Sequence, residues 1–156
     1  MRIFDCFMYF DEEIVLETRF EYLNKYVDYF VIVESRFTHK GDKRNLKFYL
    51  NNFSNFKHKI IYKVHDEVPN KIEKVLDGDD EVTKTRKYIM NALYRENAQR
   101  NYINEGIKNA EDEDIILISD VDEIPNLSKI NIKEIKNKII LFKQDMFYYK
   151  FNLKLP

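Results

Sequence analysis

Short apolar runs recur along the chain, and each has the length of a β-strand. Residues 29–33 (YFVIV) are continuously apolar and rich in β-branched side chains, as is typical of a strand buried on both faces of a parallel sheet. Similar runs predict strands at residues 3–10, 59–64 and 114–119, and further strands at 139–143 and 146–153. The pattern therefore predicts several strands that are separated by more polar segments.

Helical repeats occupy the longer polar segments. A first helix is predicted with Asp11 as its N-cap and Tyr26 as its approximate end, because its apolar positions recur at helical steps. These positions are Leu16, Phe20, Leu23 and Val27. The strongest helix is predicted over residues 88–110. Its inward stripe is predicted to contain Ile89, Leu93, Glu96, Arg100, Ile103, Ile107 and Ala110. Weaker helices are predicted at 46–56 and 128–136.

The alternation of strands and helices predicts an α/β fold with a mainly parallel central sheet flanked by helices. The polar stretch 35–45 and the charged stretch 66–84 are predicted loops, and we expect 66–84 to be flexible. Ligands of such folds bind beyond the carboxyl ends of the strands, where the strand order reverses. Two predicted strands lead into carboxylates, Glu34 and Asp120. We therefore look for functional side chains at these two strand ends.

The composition is that of an ordinary globular protein and excludes several classes. The 156 residues predict one domain, 1–156, with 44% hydrophobic residues to fill its core. The 26 Lys and Arg residues are balanced by 27 Asp and Glu residues, so the chain lacks the large excess of positive charge that is typical of a nucleic-acid-binding protein. The single cysteine excludes an internal disulfide. The chain has no apolar run near ~18 residues and no recognisable signal peptide. We therefore expect that it has no membrane span and that its location is cytoplasmic.

The motif Asp120-Val121-Asp122 is the sharpest chemical signal. Two carboxylates one residue apart at a strand end can converge on one hard cation, and oxygen ligands with open positions suit Mg²⁺ or Mn²⁺. Such a cation can hold a diphosphate and offset the charge of a departing phosphate. The alternative is a capping turn in which either carboxylate accepts backbone N–H groups before Pro125. The residues alone leave both interpretations open.

Two further sites have a functional and a structural interpretation. Glu34 can accept hydrogen bonds from a ribose or a base, or it can be a solvated partner of Arg36 or Lys40. Glu96 and Arg100 have the spacing of an ion pair within one helix. Because they fall on the stripe predicted to face the sheet, and buried charge is costly, they also indicate a polar cavity beneath the helix.

Several blocks of the sequence, in this order, resemble glycosyltransferase family 17. The blocks are IFDCFMYFDEE (3–13), VDYFVIVES (27–35), RENAQRN (95–101), DIILISDVDEIP (114–125) and FKQDMFYYKFNL (142–153). The resemblance implies a GT-A fold, and because the given sequence is shorter than usual for the family, we expect it to lack the usual C-terminal acceptor half. It also implies an inverting glycosyltransferase with a nucleotide-sugar donor such as UDP-N-acetylglucosamine and a glycan acceptor.

The resemblance also assigns residues to the donor site. It implies that Asp120 and Asp122 bind the metal, usually Mn²⁺, with Asp120 also at the donor diphosphate. Tyr9, Phe10 and Glu34 would line the nucleoside pocket. Arg95 and Arg100 would be donor-site residues on the neighbouring helix.

No residue matches the general base that an inverting transfer requires. A non-catalytic module that binds a nucleotide sugar or a glycan is therefore an alternative to a transferase. A phosphatase of the haloacid-dehalogenase type is a more distant alternative, with Asp120 as its nucleophile. That class normally carries its DxD motif in the first strand, whereas here the motif follows the run 114–119.

Overall fold

The computed structural model of the chain describes residues 1–147 and residue 154. The chain divides into two compact units, Met1–Asp122 and Glu123–Pro156, and each is described by itself. Most of the strand predicted at 146–153 lies outside the described residues. The predicted single domain 1–156 stays a prediction.

The first unit contains one four-stranded sheet. Its strands are β1 (Ile3–Tyr9), β2 (Tyr29–Ser35), β3 (Ile60–His65) and β4 (Ile115–Ile118). The order is β3-β2-β1-β4, and every neighbouring pair is parallel. The chain therefore moves from β1 to β2 and β3 on one side and then returns to place β4 on the other side. This order confirms the predicted α/β fold and puts the reversal of strand order between β1 and β4.

The first helix, α1 (Glu13–Leu23), packs on one face of this sheet. The predicted Leu16, Phe20 and Leu23 are buried, and Arg19 is buried with them. The Phe20 ring lies 4.7 Å from the Phe30 ring of β2, centroid to centroid. On the opposite face of the sheet, the core cluster is Phe4, Cys6, Val31, Val33 and Ile103.

Both predicted ends of α1 were wrong. The N-cap position belongs to Glu12, not Asp11, and it forms no side-chain cap hydrogen bond. The Glu12 carboxylate instead accepts the backbone N–H groups of Phe10 and Asp11. The helix ends at Leu23, and Tyr26 N–H bonds back to the Leu23 carbonyl in a turn.

The second helix, α2 (Glu81–Asn101), begins earlier than predicted, and Asp80 caps it by accepting the Thr83 N–H. Residues 102–105 continue as a 3₁₀ turn. The inward stripe was wrong in its first half, since Ile89 and Leu93 are exposed. The helix instead buries Lys87, Asn91 and Gln99.

Hydrogen bonds to the preceding loop explain the polar buried face of α2. The Asn91 side chain accepts the Glu73 N–H and donates to the Glu73 carbonyl. Lys87 Nζ lies 2.7 Å from the Asp79 carboxylate. Residues 66–80 thus form the predicted irregular loop, whereas 81–84 already belong to α2. The flexibility of this loop stays a prediction.

The weaker helix predictions were wrong in type. In place of a helix at 46–56, the chain forms 3₁₀ turns over Leu50–Lys59. In the second unit, the region predicted as the helix 128–136 contains two short 3₁₀ turns, Leu127–Lys129 and Ile132–Glu134. Residues 139–143 form no strand. Within the described part of the chain, no helix is long and apolar enough to cross a membrane.

Candidate functional site

A cavity of about 810 Å³ opens at the carboxyl ends of β1 and β4. Its walls come from five parts of the first unit: the end of β1, the start of α1, the end of β2 with the loop after it, the last turns of α2 and the turn after β4. Predicted site residues in its lining are Tyr9, Phe10, Arg100, Asp120 and Asp122. The cavity lies where the strand order reverses, which is the usual place for a ligand in an open α/β sheet.

The turn after β4 brings Asp120 and Asp122 to this cavity. Both residues are exposed, whereas Val121 between them is buried. One oxygen of Asp120 accepts a hydrogen bond of 3.1 Å from the Arg100 guanidinium. The Asp122 carboxylate forms no hydrogen bond or ion pair with the part of the chain that the structure describes. The Asp122 side chain makes no capping bond to the described residues, so the geometry of Asp122 favours the ligand-binding interpretation.

Arg19 binds the backbone of this turn, and the sequence analysis did not identify Arg19 as a site residue. Its guanidinium binds the Asp5 carboxylate with two bonds, 2.8 Å from Nε to Oδ2 and 2.7 Å from Nη2 to Oδ1. Nη1 donates to the main-chain carbonyls of Asp120 and Val121, at 2.8 and 3.0 Å. The signal was present, because an Asp in an apolar strand and an Arg on an apolar helical stripe are each costly alone and can only be buried together.

Arg100 and Glu96 satisfy both of their interpretations. Arg100 Nη2 lies 3.1 Å from Glu96 Oε1, so the predicted ion pair within the helix exists. Both side chains also line the cavity, together with Gln99, whose amide donates to the Val33 carbonyl. The last turns of α2 thus supply a polar wall that already contacts Asp120 through Arg100.

Arg95 lies on the same helix but acts on the neighbouring loop. This loop follows β2, and its ends are joined by an antiparallel bridge between Phe37 and Lys43. Arg95 Nη1 donates to the His39 carbonyl. Gly41 has a φ of 106°, and a Cβ placed there would lie 2.6 Å from Arg95 Nη2. Arg95 is not part of the cavity lining. It contacts the loop after β2, which forms one wall of the cavity, without contributing to that wall itself.

Glu34 has an environment that neither sequence interpretation anticipated. It is fully buried, and its oxygens accept the N–H groups of Lys47 and Phe48 and the Tyr62 hydroxyl. Arg44 Nη1 lies 2.9 Å from Glu34 Oε1. Burial, together with the hydrogen bond to Glu34, raises the pKa of Tyr62. Four donors occupy the acceptor sites of this carboxylate, and Glu34 does not line the cavity.

Tyr9 and Phe10 form the aromatic wall at the end of β1. The Tyr9 side chain is nearly fully buried, and burial followed by the charge of Glu13 raises its pKa to about 12. Phe10 is 45% exposed, and the Arg44 guanidinium lies 4.2 Å from the centroid of its ring. Arg44 also donates to the Phe10 carbonyl. The cavity therefore has an exposed aromatic ring close to the Arg44 guanidinium.

Asp120 and Asp122 fit the protein's share of a divalent-cation site. Among residues 1–147 and 154, no group of three or more His, Cys, Asp or Glu side chains is placed to hold a metal ion. Sites that bind Mg²⁺ with a nucleotide commonly use only one or two carboxylates, because phosphates and water complete the shell. Asp122, an exposed carboxylate without a partner in residues 1–147 and 154, meets this requirement beside a second carboxylate on the same cavity.

The fold and the cavity define an α/β protein with a candidate ligand site at the switch point of a parallel sheet, consistent with a GT-A-like glycosyltransferase. The model of glycosyltransferase family 17 matches residues 1–155. The chain belongs to this family, and the resemblance seen in its sequence is confirmed.

Three curated relatives carry the name β-1,4-mannosyl-glycoprotein 4-β-N-acetylglucosaminyltransferase. The proteins of Homo sapiens and Rattus norvegicus are each 32% identical to the chain over 115 residues, and that of Mus musculus is 31% identical. Each match covers 71% of this chain and 19% of the relative. The matched region is thus about a fifth of the length of these relatives. No solved structure matches the chain.

Proposed function

We propose that the chain binds a nucleotide-diphosphate sugar in the cavity beside β1 and β4 and serves an inverting glycosyltransferase reaction on a glycan hydroxyl. The observation that carries the proposal is the Asp122 carboxylate, which lies on this cavity without a partner among the described residues, next to Asp120. The names of the relatives describe an N-acetylglucosaminyltransferase that acts on a mannosyl glycoprotein. This supports N-acetylglucosamine as the sugar, and UDP as its carrier is the donor that the family resemblance implies.

Asp120 and Asp122 are the residues that would hold Mn²⁺ or Mg²⁺. The cation supplies charge that offsets the negative charge of the departing diphosphate. Arg100 lines the same wall, and a guanidinium can grip phosphate oxygens with two parallel hydrogen bonds. Its present partners, Glu96 and Asp120, hold it at the cavity. Arg100 therefore stabilises negative charge on the donor from the side of α2.

The aromatic wall suits the nucleoside end of the donor. Tyr9 and Phe10 line the cavity, and the Phe10 ring is exposed for contact with a base. Glu34 holds β2, β3 and the loop after β2 together, so we leave it out of the donor contacts. Arg95 acts by supporting the loop after β2 through the His39 carbonyl.

A non-catalytic donor-binding module is the second candidate, and one observation favours it. Transfer with inversion needs a carboxylate that takes a proton from the acceptor hydroxyl. Two of the other carboxylates that line the cavity are engaged, since Glu12 accepts two backbone N–H groups and Glu96 pairs with Arg100. Asp42 also lines the cavity, and no contact in the structure marks it as the base. Binding of the donor without turnover distinguishes this candidate.

Calorimetric titration tests the donor site with UDP in the presence and absence of Mn²⁺. Wild-type protein should bind UDP only with the metal, and Asp122→Ala should lose more than about tenfold in affinity, the scale of losses at metal sites. Its thermal midpoint should not change, because an exposed side chain without contacts contributes little to stability. Asp112→Ala, which removes an exposed carboxylate before β4, is the control. Unchanged affinity of Asp122→Ala would contradict the proposed site.

Turnover is measured separately with UDP-N-acetylglucosamine, Mn²⁺ and mannose-containing glycans. Release of UDP together with a lengthened glycan supports a transferase. Metal-dependent binding without a product on any glycan supports the non-catalytic module.

A further inference from the structure

A fully buried ion pair of the first unit lies beside the turn that carries the proposed metal site. Arg19 of α1 and Asp5 of β1 both have no exposed side-chain surface. Besides its two bonds to Asp5, the guanidinium lies 4.6 Å from the centroid of the Phe7 ring. A buried ion pair is weak evidence for stability, because removing both charges from water costs several kcal/mol per ion. Its other contacts indicate what the pair does.

Three further hydrogen bonds of Arg19 lie in the turn that carries Asp120 and Asp122. Nη1 donates to the carbonyls of Asp120 and Val121, and Nη2 lies 2.7 Å from Ser119 Oγ. One planar group thus connects β1, α1 and three consecutive residues after β4. The carbonyls of Asp120 and Val121 point inward to Arg19, whereas the side chains of Asp120 and Asp122 are exposed on the cavity.

We infer that Arg19 is a positioning residue that fixes the backbone of the turn, so that both carboxylates face the cavity. The inference rests on the proposed donor site for its functional consequence. Two carboxylates on the same cavity repel each other, and a turn without fixed carbonyls can rotate them apart. Arg19 prevents this rotation by holding two successive carbonyls on one nitrogen.

The effect of Arg19 is geometric more than electrostatic. A lone guanidinium beneath a cation site would repel the cation, but the Asp5 carboxylate in contact with it offsets that charge. The contribution that remains is the fork of N–H donors, which a lysine cannot reproduce although it keeps the charge. Arg19→Lys therefore separates position from charge.

The matched control is Arg2→Lys. Arg2 also binds an aspartate with two side-chain nitrogens, Nε at 2.9 Å and Nη2 at 2.6 Å from Asp114 Oδ2. This pair joins the same two strands, β1 and β4, at their opposite end. Arg2→Lys thus makes the same chemical change to the same strand pair, away from the cavity.

The test combines hydrogen exchange of the free protein with calorimetry of Mn²⁺ and UDP. In Arg19→Lys the backbone amides of 119–122 should exchange faster while those of β2 and β3 are unchanged. The affinity for UDP with Mn²⁺ should fall about tenfold or more, the scale of outer-shell changes at metal sites. Arg2→Lys should leave both the turn amides and the affinity unchanged.

A double variant keeps the test decisive if Arg19→Lys does not fold. Arg19→Met with Asp5→Leu replaces the ion pair by apolar side chains, a change that buried pairs often tolerate, and still lacks the carbonyl donors. The double variant should fold, which is checked by circular dichroism. The backbone amides of its turn should show the same faster hydrogen exchange. Unchanged exchange of the turn in the folded variants overturns the inference. Failure of the wild type to bind UDP with Mn²⁺ overturns the proposed function instead, and the exchange result still decides the role of Arg19.

Discussion

An arginine and an aspartate form an ion pair at each end of the two neighbouring strands β1 and β4. The two ion pairs differ in their other contacts. At the amino end, Arg2 is one-third exposed and binds Asp114, which precedes β4. At the carboxyl end, Arg19 and Asp5 are fully buried. The amino-end arginine also reaches one carbonyl, that of Asn109. The carboxyl-end arginine reaches two carbonyls and a hydroxyl of the turn that lines the cavity.

The difference indicates that an arginine joined to an aspartate by two hydrogen bonds serves a different purpose at each end. At the amino end the pair ties two strand starts together, and water can replace part of it. At the carboxyl end, water is excluded and the pair determines the path of the backbone at the site where α/β proteins bind ligands. Removal of each arginine should therefore have different consequences for stability and for binding.

The largest expected effect is that of Arg19→Ala, which breaks the buried pair and leaves Asp5 without its partner. Loss of one member of a buried pair costs about 3–5 kcal/mol in the free energy of unfolding. Arg2→Ala should cost clearly less, because its guanidinium is partly exposed and Asp114 keeps the backbone N–H groups of Arg2 and Glu111. Urea denaturation measures both variants. Equal losses would remove the distinction between the two ends.

Much of the sheet could be predicted, because buried parallel strands are continuous apolar runs. Residues 29–33 fall entirely within β2, and 114–119 contain all of β4. The face of α2 could not be predicted, since its buried Lys87 and Asn91 are satisfied by loop residues that no periodicity analysis includes. Apolar Ile89 and Leu93 then remained on the exposed side.

The candidate site was predictable only where its chemistry is local in sequence. Asp120 and Asp122 form a short motif after an apolar strand, and both line the cavity. Arg19 reaches Asp5 and Asp120, which are 14 and 101 residues away along the chain, so no local pattern joins them. Glu34 was predicted to follow the strand 29–33, but it lies inside β2, and its four donors come from later segments and depend on the fold.

A smaller and more specific effect is expected from Arg100→Ala. This variant tests the ligand-binding role of the carboxyl end of the strand pair. Arg100 occupies one oxygen of Asp120. Its loss removes a positive charge beside the two carboxylates, so Mn²⁺ alone should bind up to about fivefold more tightly, given the strength of a partly exposed pair. UDP with Mn²⁺ should bind about tenfold more weakly, because a charge-assisted hydrogen bond to phosphate is lost.

The control for Arg100 is Arg86→Ala on the same helix. Arg86 pairs with Glu73 and does not line the cavity, so neither affinity should change. Calorimetric titrations of Mn²⁺, and of UDP at saturating Mn²⁺, measure the two quantities. A parallel fall in both affinities of Arg100→Ala would mean that Arg100 supports the fold of the site instead of contacting the donor.

The smallest expected effect concerns acid and the amino end. The hydrogen bond from Arg2, with those from the backbone N–H groups of Glu111 and Arg2, holds the pKa of Asp114 well below its ordinary value of 3.8. The unfolded chain therefore takes up this proton first as the pH falls. The stabilisation is fully present above about pH 3.8 and is lost below it.

Asp114→Asn should make the thermal midpoint less sensitive to pH below 3.8, while the variant is somewhat less stable at neutral pH because Arg2 loses a charged acceptor. The remaining slope comes from other carboxylates with lowered pKa, such as Glu73 and Asp79. Asp112→Asn is the control, because its exposed carboxylate has no partner in the described part of the chain. If both variants keep the slope of the wild type, Asp114 does not couple the amino end to pH, and the strand starts are held by main-chain bonds such as that from Ile115 N–H to the Arg2 carbonyl.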